Sequence, residues 1–291
     1  MAEREANHCP LTVARRSFPS TMLTPDLGDE TLSLSRRHAL IRLWRSQQIA
    51  FRSWRTEMRA ELGEQPRVID LVIAERAFST AFQPIVEIAT GDIVGFEALT
   101  RFDDGALPKE RFHDAGRFGL SGALETATLA SAVEAAKLLP PGPWLAINVS
   151  PSMLLDAESL NEIVTGTDRA IVLELTEHDP IEDYVAVSRA RQRLPHGVRL
   201  SVDDVGSGYS SLRHILQLRP DYIKLDREWV VDIDADPARQ SLVVALADFA
   251  SRTGVELIAE GVETRAELDT LIELGVCLAQ GYLVGEPRFV G

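Results

Sequence analysis

The tightest constraint on the fold is a four-residue link. Two extended, β-prone runs, Ala81 to Ile88 and Ile93 to Phe102, are separated only by Ala89-Thr90-Gly91-Asp92. A parallel crossover needs a dozen or more residues, so these two runs can pair only as an antiparallel hairpin. Beyond it the pattern changes. Extended runs at Trp144 to Val149, Ala170 to Leu175, Arg199 to Asp203, Tyr222 to Leu225, Glu256 to Ala259 and Val276 to Ala279 alternate with helical segments. The helical segments span about Gly122 to Leu139, Ile181 to Leu194, Ser211 to Leu218, Pro237 to Thr253 and Arg265 to Leu274. Thr264 with Glu267 forms a capping-box signature for the last, and Gly275 lies just past its end. Strands alternating with helices in this way predict an α/β chain, a (β/α)8 TIM-like barrel whose first strand is antiparallel to the rest. A doubly wound open sheet is the alternative.

Three segments follow from composition. Residues 1–30, with Pro10, Pro19, Pro25 and Gly28, carry no sustained period and are expected to be disordered. Within 31–65, from Ser33 or Ser35 to about Leu62, the pattern becomes helical, with Leu40, Trp44, Phe51, Trp54, Met58 and Leu62 on one face and Gly63 and Pro66 ending it. This helix is basic: Arg36, Arg37, Arg42, Arg45, Arg52, Arg55 and Arg59 face only Glu57 and Glu61. It suits packing on the barrel or a second subunit, a protein partner, or a membrane surface. Residues 66–291 form the barrel, entered through a short helix at about Arg67 to Phe78.

The 291 residues carry a net charge of -14, which argues against a nucleic-acid polymer as partner, because a basic face is what displaces counterions from phosphates. Cys9 and Cys277 are too few for a disulfide framework and lack metal-ligand spacing. With no run of membrane-spanning length and a polar start, the expected location is cytoplasmic.

In such a barrel the chemistry lies where strands end. Here the ends are polar: Glu97 and Arg101, Asn148, Glu174 and Glu177, Asp203 and Asp204, Lys224 and Asp226, Glu260 and Glu263, and Gln280. Alone, Asp203-Asp204-Val205-Gly206-Ser207-Gly208 fits a solvated turn as well as a metal or phosphate site, and side-chain alternation forbids both carboxylates from continuing inward. Together, Glu97, Glu174, Asp203, Asp204 and Glu260 at one mouth could not all stay ionised without a cation. Oxygen donors, with no His or Cys at any strand end, select Mg²⁺ or Mn²⁺ over Zn²⁺. No Ser has a plausible base, which disfavours covalent acyl chemistry. Metal-activated water remains, with Arg101 and Lys224 supplying positive charge for a phosphate.

These segments resemble the EAL-domain phosphodiesterases, which hydrolyse cyclic di-GMP. The resemblance is carried, in order, by Phe82-Gln83-Pro84-Ile85-Val86, Glu97-Ala98-Leu99-Thr100-Arg101-Phe102, Asn148-Val149-Ser150, Glu174-Leu175-Thr176-Glu177 and Asp203 through Leu212. Tyr222-Ile223-Lys224-Leu225-Asp226, Ala259 through Thr264 and Gln280-Gly281-Tyr282-Leu283 complete it. It implies cleavage to linear pGpG with two Mg²⁺ or Mn²⁺ ions per site. Glu97, Asn148, Glu174 and Asp203 would hold one ion; Asp203, Asp204 and Glu260 the other, with Glu260 either ligand or general base. Lys224 would position water, and Gln83, Leu99, Arg101, Asp226 and Gln280 would contact the dinucleotide. Glu177, Gly206, Ser207, Gly208 and Glu263 fall in supporting or loop positions. Val205 and Ser207 stand where the family usually has Phe and Thr, and Thr100 and Phe102 depart likewise, which bears on loop ordering rather than on the ligands.

The resemblance also implies a homodimer, and the N-terminal helix is a candidate contact for a protein partner. The alternative to an active enzyme is a weak or inactive cyclic di-GMP receptor or interaction module on the same fold. A barrel enzyme for another phosphoester ranks third.

Overall fold

A computed structural model describes residues 65–176, 181–205 and 211–290. The expected helix from Ser35 to Leu62 lies outside the described residues, as do Glu177, Gly206, Ser207 and Gly208.

In chain order the elements begin α1 (Gln65–Ala74), β1 (Phe78–Glu87), β2 (Ile93–Phe102), α2 (Pro108–Arg117), α3 (Ser121–Ala135), β3 (Trp144–Asn148), α4 (Pro151–Leu155) and α5 (Ala157–Val164). They continue β4 (Ile171–Thr176), α6 (Tyr184–Arg191), β5 (Arg199–Val205), α7 (Ser211–Leu218), β6 (Tyr222–Leu225) and α8 (Arg227–Val230). The last are α9 (Pro237–Thr253), β7 (Glu256–Ala259), α10 (Arg265–Glu273), β8 (Leu278–Ala279) and β9 (Arg288–Phe289). β2, β6 and β7 match the expected bounds. The lead-in differs: α1 ends at Ala74 and β1 already begins at Phe78, three residues before the expected start. β8 is shorter than expected, because ladder pairing with β7 covers only Leu278 and Ala279. The helices α2, α4, α5 and α8 carry no long apolar period that would announce them.

β2 through β8 lie side by side in sequence order, and β1 pairs with both β8 and β2. That closes the sheet, which excludes the open doubly wound arrangement. β1 runs antiparallel to β8, whereas β2 to β8 run parallel. β9 adds a two-residue bridge to β1 at Ala81 and Phe82.

The chain divides into two compact units. The larger comprises Ser79–Thr100 and Glu125–Gly291; the smaller includes 65–78 and Arg101–Leu124. In the smaller unit Phe78, Phe102 and Phe112 meet edge-on with centroids 6.1 and 6.3 Å apart, and buried Arg111 lies over Phe102 while pairing with Asp104.

In the larger unit the strands are buried on both sides, which is why they read as almost continuous apolar runs. Inside the barrel Ile85, Trp144, Ala146, Val172, Tyr222, Ile258 and Leu278 form one packed layer. Trp144 and Tyr222 lie 5.3 Å apart between centroids. Gly95 makes room for that ring: a Cβ there would sit 2.5 Å from Trp144. Side chains two residues apart share a face, so this layer fixes what stands above it. Gly95 leads to Glu97, Ala146 to Asn148, Val172 to Glu174, Tyr222 to Lys224, Ile258 to Glu260 and Leu278 to Gln280. On the reversed β1 the count runs backwards, from Ile85 to Gln83.

Candidate active site

Lys224 stands at the centre of the polar layer. It is 1% exposed, yet its Nζ lies 2.6 Å from Glu260 Oε1, 3.1 Å from Asp203 Oδ1, 3.2 Å from Glu174 Oε2 and 3.4 Å from Glu97 Oε2. Glutamines set the geometry around Glu97. Gln280 Nε2 donates to Glu97 Oε2 at 2.6 Å and to Gln83 Oε1 at 3.0 Å, and Gln83 Nε2 donates to the Gly285 carbonyl at 3.1 Å. Asn148 Nδ2 donates to Glu97 Oε1 at 3.0 Å.

Strand alternation says Asp203 and Asp204 cannot both face the site, and the structure resolves the conflict with a bulge. β5 and β6 stay in register at Val202 with Ile223, then resume at Val205 with Leu225, so three steps on β5 oppose two on β6. Asp204 takes the left-handed conformation, φ 54°, which Asp tolerates better than most residues. Asp204 N donates to Asp203 Oδ1 at 2.9 Å. As a result Asp203, Asp204 and Glu260 offer carboxylate oxygens all within 4.8 Å of one another.

The electrostatics follow from crowding. Burial, then repulsion from Glu97, Asp203 and Glu260, pushes the Glu174 carboxyl well above the usual range against the pull of Lys224. Burial and the Asp203 charge do the same to Glu260, and burial raises Asp203. Glu97 goes the other way: burial works to raise it, but Lys224 and the donors Gln280 and Asn148 hold it below its ordinary value. For Lys224 burial alone would lower the ammonium, and the four surrounding carboxylates lift it well above its ordinary value instead.

Four carboxylates thus share one ammonium, and Asp204 adds a fifth beside Asp203 and Glu260. Glu174 Oε1 is buried without a hydrogen-bond partner. An oxygen-only donor set with surplus negative charge and an orphaned buried carboxylate oxygen fits a hard divalent cation.

A cavity of about 420 Å³ opens here, lined by Gln83, Glu97, Asp203, Asp204, Lys224, Asp226, Glu260, Glu263 and Gln280 from the expected set. Asn148, Glu174 and Leu99 lie outside its lining, and Arg101 belongs to the smaller unit. Gln280, expected to contact substrate, is buried and also orients Glu97. The same cavity is lined by Arg227, Gly261, Gly281 and Tyr282, which no spacing rule marks. Arg227 directly follows the Lys224-Leu225-Asp226 run, and that adjacency was the available signal. Another residue outside the expected set is buried Glu125, whose carboxylate accepts from Ser150 N at 2.6 Å and Ser150 Oγ at 2.7 Å, two residues past Asn148.

A barrel closed by one reversed strand, with a carboxylate ring around a buried lysine at its mouth, defines a class of barrel suited to divalent cations. The chain belongs to the EAL domain family, whose model matches residues 68–287. It is 31% identical over 239 residues to the cyclic di-GMP phosphodiesterase PdeL of Escherichia coli, covering 76% of this chain and 66% of that protein. It is 32% identical over 244 residues to the cyclic di-GMP phosphodiesterase RocR of Pseudomonas aeruginosa, covering 78% of this chain and 62% of RocR. Among solved structures it is similar to Klebsiella pneumoniae BlrP1 in a calcium and cyclic di-GMP complex, with TM-score 0.67 and 32% identity, covering 74% of this chain and 57% of that one. The chain therefore spans two thirds or less of the length of each. Among the described residues no helix is long and apolar enough to cross a membrane.

Proposed function

We propose that this chain is a metal-dependent phosphodiesterase that hydrolyses cyclic di-GMP to linear pGpG. The observation that carries the reading is Lys224, buried 2.6 to 3.4 Å from four carboxylates with Asp204 beside them, an excess of negative charge that divalent cations would balance. Glu97, Asn148, Glu174 and Asp203 would hold one Mg²⁺ or Mn²⁺; Asp203, Asp204 and Glu260 would hold a second. When bound, such ions neutralise the carboxylates, make water acidic enough to supply hydroxide near neutral pH and stabilise charge on phosphoryl oxygens.

The protein's own groups do the rest. Lys224 keeps its proton among the carboxylates, so it serves as donor that orients the attacking water rather than as base. Glu260, whose carboxyl is raised by burial, is either a ligand or the base that takes the water's proton. Gln280 and Asn148 hold Glu97 in place. Gln83, Leu99, Arg101 and Asp226 would contact the dinucleotide, Arg101 by forking onto a phosphate. Retention of Lys224 and every carboxylate favours turnover over a receptor role.

The proposal extends to a cytoplasmic homodimer paired through α7, where Leu212 and Leu216, one helical turn apart, are 63% and 64% exposed. The basic N-terminal stretch would then be a regulatory or partner-binding element. Purified protein incubated with cyclic di-GMP and Mn²⁺ should yield pGpG, and Glu97→Ala should remove nearly all turnover. A Glu97→Ala protein retaining most activity would overturn the ligand assignment; no product from the wild type would overturn the function.

A further inference from the structure

Glu267 sits at the third position of α10 and does more than a helix start requires. In a capping box the Glu side chain reaches back to one N–H, that of the capping residue. Here Thr264 Oγ1 accepts from Glu267 N at 3.2 Å, and Glu267 Oε2 accepts from Thr264 N at 2.8 Å. The same oxygen also accepts from Glu263 N at 2.9 Å, while Oε1 accepts from Asp232 N at 3.2 Å. Asp232 belongs to a different segment, the one that follows β6 and α8. It is held at φ 55°, the left-handed conformation that Asp tolerates better than most residues.

The two segments joined in this way are those that carry chemistry. After β7 come Glu260, Gly261 and Glu263; after β6 come Asp226 and Arg227, and all five line the cavity. They touch at two further points. Arg227 Nη2 pairs with Glu263 Oε1 at 2.7 Å, and the Arg227 stem packs over Gly261, where φ is +65° and a Cβ would lie 2.5 Å from Arg227 Cγ. The Arg227–Glu263 pair is largely solvent-exposed, and exposed ion pairs contribute little, so the buried carboxylate of Glu267 is the stronger tie. Burial would raise its carboxyl, but the three N–H donors outweigh burial and hold it below the ordinary value, so it acts as an anion.

We propose that Glu267, which neither lines the cavity nor is among the candidate metal ligands, is a positioning residue that ties the segment after β7 to the segment after β6 and so keeps Glu260 in place to bind metal. The proposal rests on the phosphodiesterase reading of the site.

Two variants separate positioning from simple capping. In Glu267→Gln the one remaining carbonyl oxygen can serve Glu263 and Thr264, but the amide nitrogen then faces the Asp232 N–H and cannot accept from it. In Thr264→Val the cap hydroxyl is lost while all three N–H groups reaching Glu267 remain. Glu267→Gln is expected to weaken Mn²⁺ binding, read by calorimetry, and to lower kcat, each about tenfold, as loss of an outer support does at metal sites. Thr264→Val is expected to lower the melting temperature and leave both quantities unchanged. Wild-type Mn²⁺ affinity and kcat in Glu267→Gln, or equal losses in Thr264→Val, would overturn the proposal. If Glu267→Gln does not fold, Glu267→Asp provides the same comparison, because its shorter carboxylate cannot reach all three donors. Absence of hydrolysis by the wild type would sink the functional reading alone, since the calorimetry would still report on Glu267.

Discussion

Replacing Lys224 by Met tests the electrostatic account of the site at its centre. The side chains are similar in length, so the change removes the ammonium while largely conserving volume. Breaking a buried ion pair by deleting one partner costs about 3–5 kcal/mol, because the remaining charges stay buried without compensation. Here four carboxylates within 3.4 Å lose their shared cation, and with Lys224 only 1% exposed, water from the adjoining cavity compensates only in part. For a domain of this size about 1 kcal/mol moves the melting temperature by about 2–4 °C, which gives a fall of about 6–20 °C in chelator. The carboxyls escape part of this penalty by taking up protons. Glu174, Asp203 and Glu260 already have raised values when folded, so the native state binds more protons than the unfolded chain as pH climbs above the ordinary carboxylate range. Stability then falls with rising pH through that window, and the Lys224→Met deficit should deepen between about pH 5 and 8. Saturating Mn²⁺ should recover part of the loss, about 2.7 kcal/mol at a hundredfold excess over the dissociation constant, by binding the native state alone. The assay is thermal unfolding followed by circular dichroism, with chelator and with Mn²⁺, across that pH range. A Lys224→Met protein melting at or above the wild type in chelator at pH 8 would refute the reasoning, because the carboxylates would then need no lysine.

Arg101→Ala is expected to weaken substrate binding while leaving Mn²⁺ affinity intact, since a guanidinium forks onto anions and cannot ligate a cation; calorimetry with Mn²⁺ alone showing lost binding would contradict this. Gly281→Ala places a Cβ 2.2 Å from Val262 N and 2.3 Å from Val262 O, backbone that cannot easily move aside, so the denaturation midpoint should fall by an amount worth about 1–3 kcal/mol. An unchanged midpoint would show that the loop after β8 yields more readily than the packing implies. Glu267, held below its ordinary value, contributes stability that is present above the unfolded carboxylate value and lost as pH falls through the folded one. Between about pH 5 and 3 the wild type should therefore lose more stability than Glu267→Gln, and parallel curves in acid would count against that account.

Much of the site was legible because the barrel obeys a period of two. Once Ile85, Ala146, Val172, Tyr222, Ile258 and Leu278 are recognised as interior, the residues two steps towards the mouth follow without further information. The hairpin link at Ala89 to Asp92 was legible for the same kind of reason, since length alone excluded every other connection. The bulge at Asp203 and Asp204 was not, because it is a departure from the alternation that made the rest readable, and only pairing with β6 reveals it. Short helices escaped because α4 and α8, of five and four residues, are too brief to show a period, and α2 is mostly polar. Arg227 and Glu267 escaped for a different reason: their significance lies in what they touch across segments far apart in the chain, and charged residues near helix starts usually mean only a cap.

The packed layer of Ile85, Trp144, Ala146, Val172, Tyr222, Ile258 and Leu278 leaves the chamber with a floor. Among the described residues that floor bars passage through the barrel, so traffic would use the mouth where Lys224 and its carboxylates lie. Under the proposed chemistry, cations seated low among Glu97, Glu174 and Asp203 would arrive before the dinucleotide and depart after its product. A bound nucleotide would act as a stopper, so exchange of the ions beneath it should stall for as long as it stays.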